Sequence, residues 1–253
     1  PGKMGVNLGI PKEFLILMLN TWFPNLFTGR MKSSPVASTM IRLVLRLAHI
    51  YYFVDTDKMF YLFLWGLNLA ERVNSKSDIA RLLSNAPAIW ITFPWFSRAF
   101  NDGHRALEFA KEVGDKFNEG RSYAFLSVAY RIASRPKDGV EYAQKGINIL
   151  KGVGEYWDLG VAYTFRNHSN WMMSRFKPAL QDTEECIAVT KEAKVLQPLG
   201  WALFANTCVA GVYNAVDIDD KLVRESIEAI RLMKETRDKP NIVWSTAALA
   251  MVY

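Results

Sequence analysis

The sequence has 253 residues, of which 50% are apolar and 22% are charged, and this composition supports a sizeable hydrophobic core and excludes a disordered chain. Two cysteines and three histidines are too few for a disulfide scaffold or a structural zinc site, so we expect a reducing, cytoplasmic setting and no metal or cofactor. The net charge is +6, but residues 1–50 hold six basic residues and one acidic residue, so the rest of the chain is nearly neutral. A nucleic-acid-binding surface along the whole body is therefore not expected.

The first predicted element is a helix over residues 11–23. Its centre, residues 14–19, is apolar on all sides, and Trp22 and Phe23 follow it. Such a helix is usually buried, here against the first repeat or a neighbouring domain. Because basic residues flank it, the alternative is that residues 11–32 lie on an anionic membrane surface, with the protein at the membrane periphery. No stretch approaches the roughly 20 apolar residues of a membrane-spanning helix.

A block with the pattern small, apolar, polar, apolar, small recurs at a spacing of 40 residues, and its fifth copy follows after 43. The copies begin at Gly66, Ala106, Gly146, Cys186 and Ala229. A second series with the same spacing opens apolar runs at Ala80, Gly120, Gly160 and Gly200. The acidic tract at residues 217–220 is the expected place of the extra residues. Both series indicate an internal repeat.

Each period divides into two predicted helices. Residues 123–130 and 140–147 of the clearest copy carry apolar or small side chains at steps of three and four residues, as on a helix with one buried stripe. Pro136 ends the first helix and suits the first turn of the second. Gly152 and Gly154 mark the end of the second helix. Each period therefore predicts an antiparallel helical hairpin.

One hairpin cannot bury its apolar stripe alone, whereas stacked hairpins can, so the predicted fold is all-α: a right-handed α-solenoid of antiparallel hairpins. We expect five hairpins, at residues 36–74, 78–114, 119–153, 158–194 and 198–236. Residues 1–35 form an amino-terminal helix and linker, and residues 237–253 form the first helix of a further repeat. Because that last helix is apolar and has no capping signal, we expect the chain to be part of a longer protein.

Residues 121–150 resemble a tetratricopeptide repeat. The positions that carry the likeness are Tyr123, Leu126, Ser127, Tyr130, Pro136, Gly139 and Gly146. The period is longer than the usual length of about 34 and is similar to that of repeat regions in bacterial multidomain signalling ATPases, kinases and regulators. This resemblance implies a scaffolding module in signal transduction, whose partner is a protein, a peptide or an adjacent domain. No G-x-x-x-x-G-K-[ST] phosphate loop occurs in this sequence, so a catalytic domain would lie outside it.

The resemblance also implies that the first helix of each hairpin lines a concave groove. The candidate partner-binding residues in that groove are Tyr51, Arg81, Arg121, Arg131, His168, Trp171, Trp201 and Phe204. Aromatic side chains supply contact area and arginines pair with carboxylates, so the groove suits a peptide or a partner helix. For Trp171, Trp201 and Phe204, packing between adjacent hairpins is the alternative. We expect alanine at Arg121 or Arg131 to weaken partner binding and to leave the melting curve nearly unchanged.

A non-catalytic interaction scaffold is the favoured function, and a membrane-surface assembly element using residues 11–32 is the alternative. An enzyme with a pocket enclosed by the solenoid is least favoured, because repeat spacing does not bring a nucleophile, a base and an acid together. His49, His104 and His168 share no metal-ligand spacing, so neither a catalytic nor a metal site is predicted. The apolar segment at residues 89–96 is expected to wedge between repeats, or to bind an apolar partner. Many aromatic residues are compatible with self-association.

Overall fold

The computed structural model describes residues 3–32, 34–213 and 220–252, and all regular elements in these ranges are α-helices. Most of the acidic tract predicted as an insertion lies outside the described residues, and its last member, Asp220, begins a helix. The helices are α1 (Lys3–Trp22), α2 (Pro24–Phe27), α3 (Pro35–Tyr52), α4 (Thr56–Val73), α5 (Lys76–Leu83), α6 (Ala86–Trp90), α7 (Phe96–Glu112), α8 (Lys116–Ile132), α9 (Pro136–Val153), α10 (Tyr156–Met172), α11 (Phe176–Glu192), α12 (Leu196–Tyr213), α13 (Asp220–Glu235) and α14 (Lys239–Val252).

Consecutive helices pack in pairs, which confirms the predicted all-α solenoid of helical hairpins. The first hairpin is α3 with α4, the second is α5 and α6 with α7, and the third is α8 with α9. The fourth is α10 with α11 and the fifth is α12 with α13. α14 packs on both helices of the fifth hairpin, as the first helix of a further pair does.

The first helix of the second hairpin is interrupted, which the repeat pattern did not predict. α5 ends at Leu83, and α6 begins at Ala86. Pro87 has no N–H group to donate to the carbonyl of Leu83, and its ring would clash with that carbonyl in a continuous helix. The chain therefore starts a new helix around the proline.

In the predicted apolar turn at residues 89–96, Trp90 is the residue that inserts into the stack. Its indole is completely buried, and its N–H donates to Asp102 Oδ2 over 2.7 Å. Phe93 and Trp95 stack on each other with ring centroids 5.3 Å apart and remain partly exposed. The wedge interpretation therefore describes the start of this segment, and the two following aromatic rings face solvent.

The stack curves with the first helices on its inner side. Each first helix contacts the next one, as α8 contacts α10 and α10 contacts α12. Consecutive second helices, such as α9 and α11, make at most isolated contacts within the described residues. Closer packing on one side bends the stack toward that side. The concave groove is therefore the surface formed by α3, α5, α6, α8, α10, α12 and α14.

The small residues of the repeat mark close approaches between helices. A Cβ atom on Gly146 would lie 3.0 Å from the carbonyl oxygen of Gly120 and 3.1 Å from the backbone nitrogen of Ala124. α8 and α9 therefore approach nearly to backbone contact at this point. Only glycine fits there without separating the helices, which explains why two of the sequence markers, Gly120 and Gly146, meet in one hairpin.

The turns follow the same period as the helices. Each second helix from α4 to α13 is followed by a residue with left-handed backbone and φ between 55° and 77°. These residues are Asn74, Gly114, Gly154, Lys194 and Arg237. Such a residue reverses the chain in a short turn. Gly114 and Gly154 adopt this conformation with the least strain, because they have no Cβ.

α1 lies against α4, and polar contacts anchor it there. The Asn68 side-chain amide donates to the backbone oxygen and to Oε2 of Glu13, both over 2.8 Å, and it accepts from the Asn20 amide over 3.1 Å. Leu17 is buried in the same contact. The predicted burial of this helix therefore holds for the side of α1 that contacts α4. Apolar side chains on its other side remain exposed, and they are Met4, Leu8, Leu15 and Trp22.

Candidate functional site: the concave groove

An aromatic bridge crosses the concave groove. The His49 ring on α3 meets the Trp157 ring on α10 edge-on, with centroids 5.2 Å apart. Trp157 in turn meets Trp201 on α12, with centroids 5.9 Å apart. The bridge joins the first hairpin to the fourth and fifth, so three segments that are distant in sequence form one surface. Trp201 is a predicted groove residue, whereas His49 and Trp157 were not predicted there.

Hydrogen bonds hold both indoles of the bridge in place. The N–H of Trp157 donates to Gln197 Oε1 over 3.2 Å, and that of Trp201 donates to Asp238 Oδ2 over 2.6 Å. Asp238 also accepts from the side chain of Asn241, at the start of α14. Each indole on one first helix is therefore fixed by a polar group at the start of the next. The rings are half-buried, which leaves part of each one facing the groove.

A buried ion pair lies beside this bridge. Arg121 Nε donates to Asp158 Oδ1 over 2.7 Å, and its Nη2 donates to Oδ2 over 3.1 Å. The guanidinium also stacks on Phe117, with its carbon 4.7 Å from the ring centroid. The charge of Arg121 is thus balanced within the protein. Burial lowers the pKa of His49, and Arg121 lowers it further while Asp158 opposes this effect, so the bridging imidazole is neutral at neutral pH.

Arg131 is different from Arg121, because no acid in the described part of the chain forms an ion pair with it. It lies in the last turn of α8, and its Nε is buried without a hydrogen-bond partner. Burial lowers the pKa of Arg131. His168 on α10 is close enough to feel this charge: burial, and then Arg131, lower its pKa to about 3. His168 is therefore a neutral imidazole beside an unbalanced guanidinium.

The other predicted groove residues lie apart from these two clusters. Arg81 Nη1 is 3.4 Å from Asp78 Oδ1 within α5, and the Lys58 ammonium lies over the Tyr51 ring. Phe204 packs on the buried cluster of α12 and α13, which lies within its own hairpin. Trp171 lies near the end of α10 and is exposed. The structure therefore joins Trp201 with Arg121, and His168 with Arg131, and leaves the other four separate.

A second regularity in the sequence points to the residues that were missed. Arg121 pairs with Asp158, and Trp201 pairs with Asp238, and both pairs are 37 residues apart. Trp157 and Gln197 are separated by 40 residues. A polar or aromatic residue on one first helix therefore pairs with a residue near the start of the next first helix. The two residues are 37 or 40 positions apart in the sequence. Searching for acids at this offset would have found Asp158 and Asp238.

The described residues offer little for covalent or metal chemistry. Burial raises the pKa of the Cys186 thiol to about 12 and that of the Cys208 thiol to about 11, so both stay protonated at neutral pH. Cys186 fills the small packing position that the repeat predicts, with its Sγ 3.5 Å from the carbonyl oxygen of Gly160. Within the described ranges, no three His, Cys, Asp or Glu side chains group so that they could hold a metal ion.

Comparison with solved structures identifies the type of fold. The chain is similar to aspartyl phosphate phosphatase F from Bacillus subtilis, with a TM-score of 0.63 at 11% identity over 93% of this chain and 58% of the other. The apo form of RapI gives 0.59 at 11% identity, over 79% of this chain and 72% of the other. BtubC (BKLC) from P. vanneervenii gives 0.55 at 16% identity, over 86% and 80%.

The chain has a tetratricopeptide-like fold. It spans 58% of the length of phosphatase F. No protein-family model matches this sequence. A comparison with curated proteins finds no match either. The tetratricopeptide-like likeness therefore concerns the arrangement of helices.

Proposed function

We propose that this chain is a non-catalytic scaffold that binds a protein partner in its concave groove, either as a peptide or helix or as an adjacent domain of the same chain. This role fits a bacterial signalling protein in the cytoplasm, as the repeat resemblance implies. One similar structure is an aspartyl phosphate phosphatase. The protonated thiols and the separated histidines of this chain favour binding over catalysis.

The observation that carries the proposal is the aromatic bridge of His49, Trp157 and Trp201. The half-buried indole rings of a concave surface supply contact area at a low cost in conformational entropy. The N–H groups of both indoles are already paired with Gln197 and Asp238, so a partner need not satisfy them. A rigid apolar surface with satisfied polar groups is what an inserted peptide side chain or helix face requires.

Selection from a random peptide display library tests this proposal, followed by titration of the best peptide. Trp157→Ala should weaken its affinity by about tenfold or more, as expected for a central aromatic contact. Trp22→Ala is the matched control, because that indole is 66% exposed on α1, outside the groove. A photo-crosslinkable version of the peptide should label the first helices.

Equal losses in both variants, or labelling confined to second helices, would contradict groove binding. The far-ultraviolet circular dichroism melt of Trp157→Ala separates lost binding from lost folding. A peptide that loses affinity for a variant with an unchanged melting temperature supports a direct contact.

A second candidate function is attachment to a membrane surface, and the open side of α1 favours it. Leu8 and Trp22 are 72% and 66% exposed there, and Phe23 and Leu26 of the following segment are also exposed. Lys12 and Arg30 lie in the same region, and their charge complements an anionic headgroup layer. No helix in the described part of the chain is long and apolar enough to cross a membrane.

Flotation with vesicles of phosphatidylserine and phosphatidylcholine tests this candidate. The double variant Leu8→Glu, Trp22→Glu should stay in the soluble fraction, whereas Trp157→Ala should float with the wild type. Both substituted residues are largely exposed, so the core that contains Leu17 is undisturbed. Equal flotation of all three proteins, or no flotation of the wild type, would rule out this surface.

A further inference from the structure

Arg131 is the exception among the partly buried arginines of the described residues. The six are Arg81, Arg98, Arg105, Arg121, Arg131 and Arg166. Five of them have an acidic partner: Arg81 pairs with Asp78, Arg98 with Asp102, Arg105 with Glu71, Arg121 with Asp158, and Arg166 with Asp182. Among the residues that the structure describes, Arg131 alone has none. The protein therefore balances its buried guanidinium groups as a rule, and the unbalanced one requires a separate explanation.

The unbalanced charge raises the free energy of the folded protein. A partly buried cation without a counter-ion has lost part of its hydration and gained no ion pair in return. An apolar residue such as leucine or methionine would fill the same place on α8 without this penalty. Groups that are unfavourable for stability and lie in a cleft are frequently used in binding.

The Arg131 side chain is packed at its Cβ and Nε atoms, whereas its Nη atoms are open to solvent. Gly139 at the start of α9 packs against this region: a Cβ there would lie 3.5 Å from Arg131 Cβ and 2.7 Å from Ser169 Oγ on α10. The Cβ end of Arg131 thus lies where α8, α9 and α10 meet. Its Nε is buried, whereas its Nη atoms make no hydrogen bond to the described residues and are not sealed from solvent. The two Nη groups form a donor fork that a planar anion can engage.

His168 completes the polar environment. It belongs to the next first helix, α10, and no acidic side chain contributes to the pKa of either His168 or Arg131. As a neutral imidazole it adds no positive charge, and it carries one N–H donor. The other partly buried arginines of α8 and α10, Arg121 and Arg166, are already neutralised by Asp158 and Asp182. The net charge to be balanced is therefore a single positive one.

We propose that Arg131 and His168 form an anion subsite of the concave groove, and that this subsite takes a carboxylate group of the bound partner. The Arg131 fork receives the two carboxylate oxygens, and His168 donates a further hydrogen bond. A monoanion fits because one charge is unbalanced, whereas a phosphate dianion would require a second cation. The inference deepens the proposed function, since it states which chemical group the groove partner brings.

Nuclear magnetic resonance titration of the full chain tests the subsite without knowledge of the partner. The probes are N-acetylglutamate α-amide, which has a side-chain carboxylate, N-acetylglutamine, which has a terminal carboxylate, and inorganic phosphate. A carboxylate probe should shift the Arg131 Nε–Hε resonance saturably and raise the pKa of His168. Whichever carboxylate probe binds more tightly identifies the source as a side chain or a chain end.

Three variants make the result decisive. Arg131→Met should weaken carboxylate binding roughly tenfold to hundredfold, the loss expected for a charged hydrogen bond, and should melt at the same temperature as the wild type or higher. Arg131→Lys keeps the charge and loses the fork, so it should bind with intermediate affinity. Arg135→Met is the matched control, because it removes an exposed positive charge one turn away and should bind as the wild type does.

Absence of a saturable shift at Arg131, equal carboxylate binding by Arg131→Met, or tighter binding of phosphate than of carboxylate would overturn the subsite. The peptide titration of the proposed function separates the two hypotheses. A groove peptide that binds Arg131→Met and the wild type equally overturns the subsite and leaves the scaffold function standing. Carboxylate binding at Arg131 in a protein whose groove selects no peptide overturns the scaffold function instead.

Discussion

His49 of the first hairpin and Trp157 of the fourth touch edge-on across the concave groove, with ring centroids 5.2 Å apart. Two hairpins lie between them in sequence, so this contact depends on the curvature of the stack. The same bridge continues from Trp157 to Trp201 on α12, with ring centroids 5.9 Å apart. The groove surface of this protein is therefore built by tertiary contacts as well as by the repeat.

The acid sensitivity of folding should depend on His168. Its pKa is about 3 in the folded protein against 6.5 for the free group, so the unfolded chain holds one more proton between these pH values. The free energy of unfolding therefore decreases as the pH falls below 6.5, by about 2–3 kcal/mol between pH 7 and pH 4.5 from this residue. His168→Gln should lose less stability over that interval in urea titrations. An equal decrease in the free energy of unfolding in the variant and the wild type would show that His168 does not cause the effect.

Arg121→Ala should destabilise the protein, because it leaves Asp158 buried without its partner. Loss of one member of a buried ion pair costs about 3–5 kcal/mol. This outcome differs from the unchanged melting curve that the sequence predicted for Arg121, and the ion pair is the reason. The double variant Arg121→Met, Asp158→Leu should recover most of the loss in a denaturant titration. A single variant as stable as the wild type would show that water reaches the pair freely.

Gly146→Ala and Gly152→Ala, both in α9, should have opposite effects. A Cβ on Gly146 would press on the backbone of α8, so the helices must separate, at a cost of about 1–3 kcal/mol. A Cβ on Gly152 meets nothing within 4 Å, and alanine there should stabilise the helix by about 0.5–1 kcal/mol. Thermal melts measured by circular dichroism compare them. A destabilised Gly152→Ala would mean that the end of α9 has an unrecognised contact.

Asn68→Ala should loosen α1 from the rest of the stack. The amide of Asn68 joins Glu13 and Asn20 to α4, and its removal takes these hydrogen bonds away from buried polar groups, at a cost of about 1–3 kcal/mol. Hydrogen exchange should accelerate in residues 6–20, while α8 to α11 keep their protection. Uniform acceleration through the whole chain would instead show that α1 unfolds together with the repeats.

Much of the architecture was predictable because a hairpin repeat is a local pattern. The steps of three and four residues, Pro136 and the recurring glycines specify helices and turns within a single period, and the structure confirms them. The break before Pro87 does not follow from the repeat pattern, although proline itself is the local signal for it. Arg121 was expected to be free for binding, since an arginine is rarely buried, and its acid lies on another hairpin.

The sequence by itself determined the unit of this protein: a pair of amphipathic helices about 40 residues long, repeated until the apolar stripes are covered. Those properties depend on neighbours in the chain and on a period that can be counted. Only the tertiary structure decided which groove residues meet. The curvature of the stack brings His49 to Trp157, gives Arg121 an acid, and leaves Arg131 without one, because the pairing of charges between hairpins depends on distances in space.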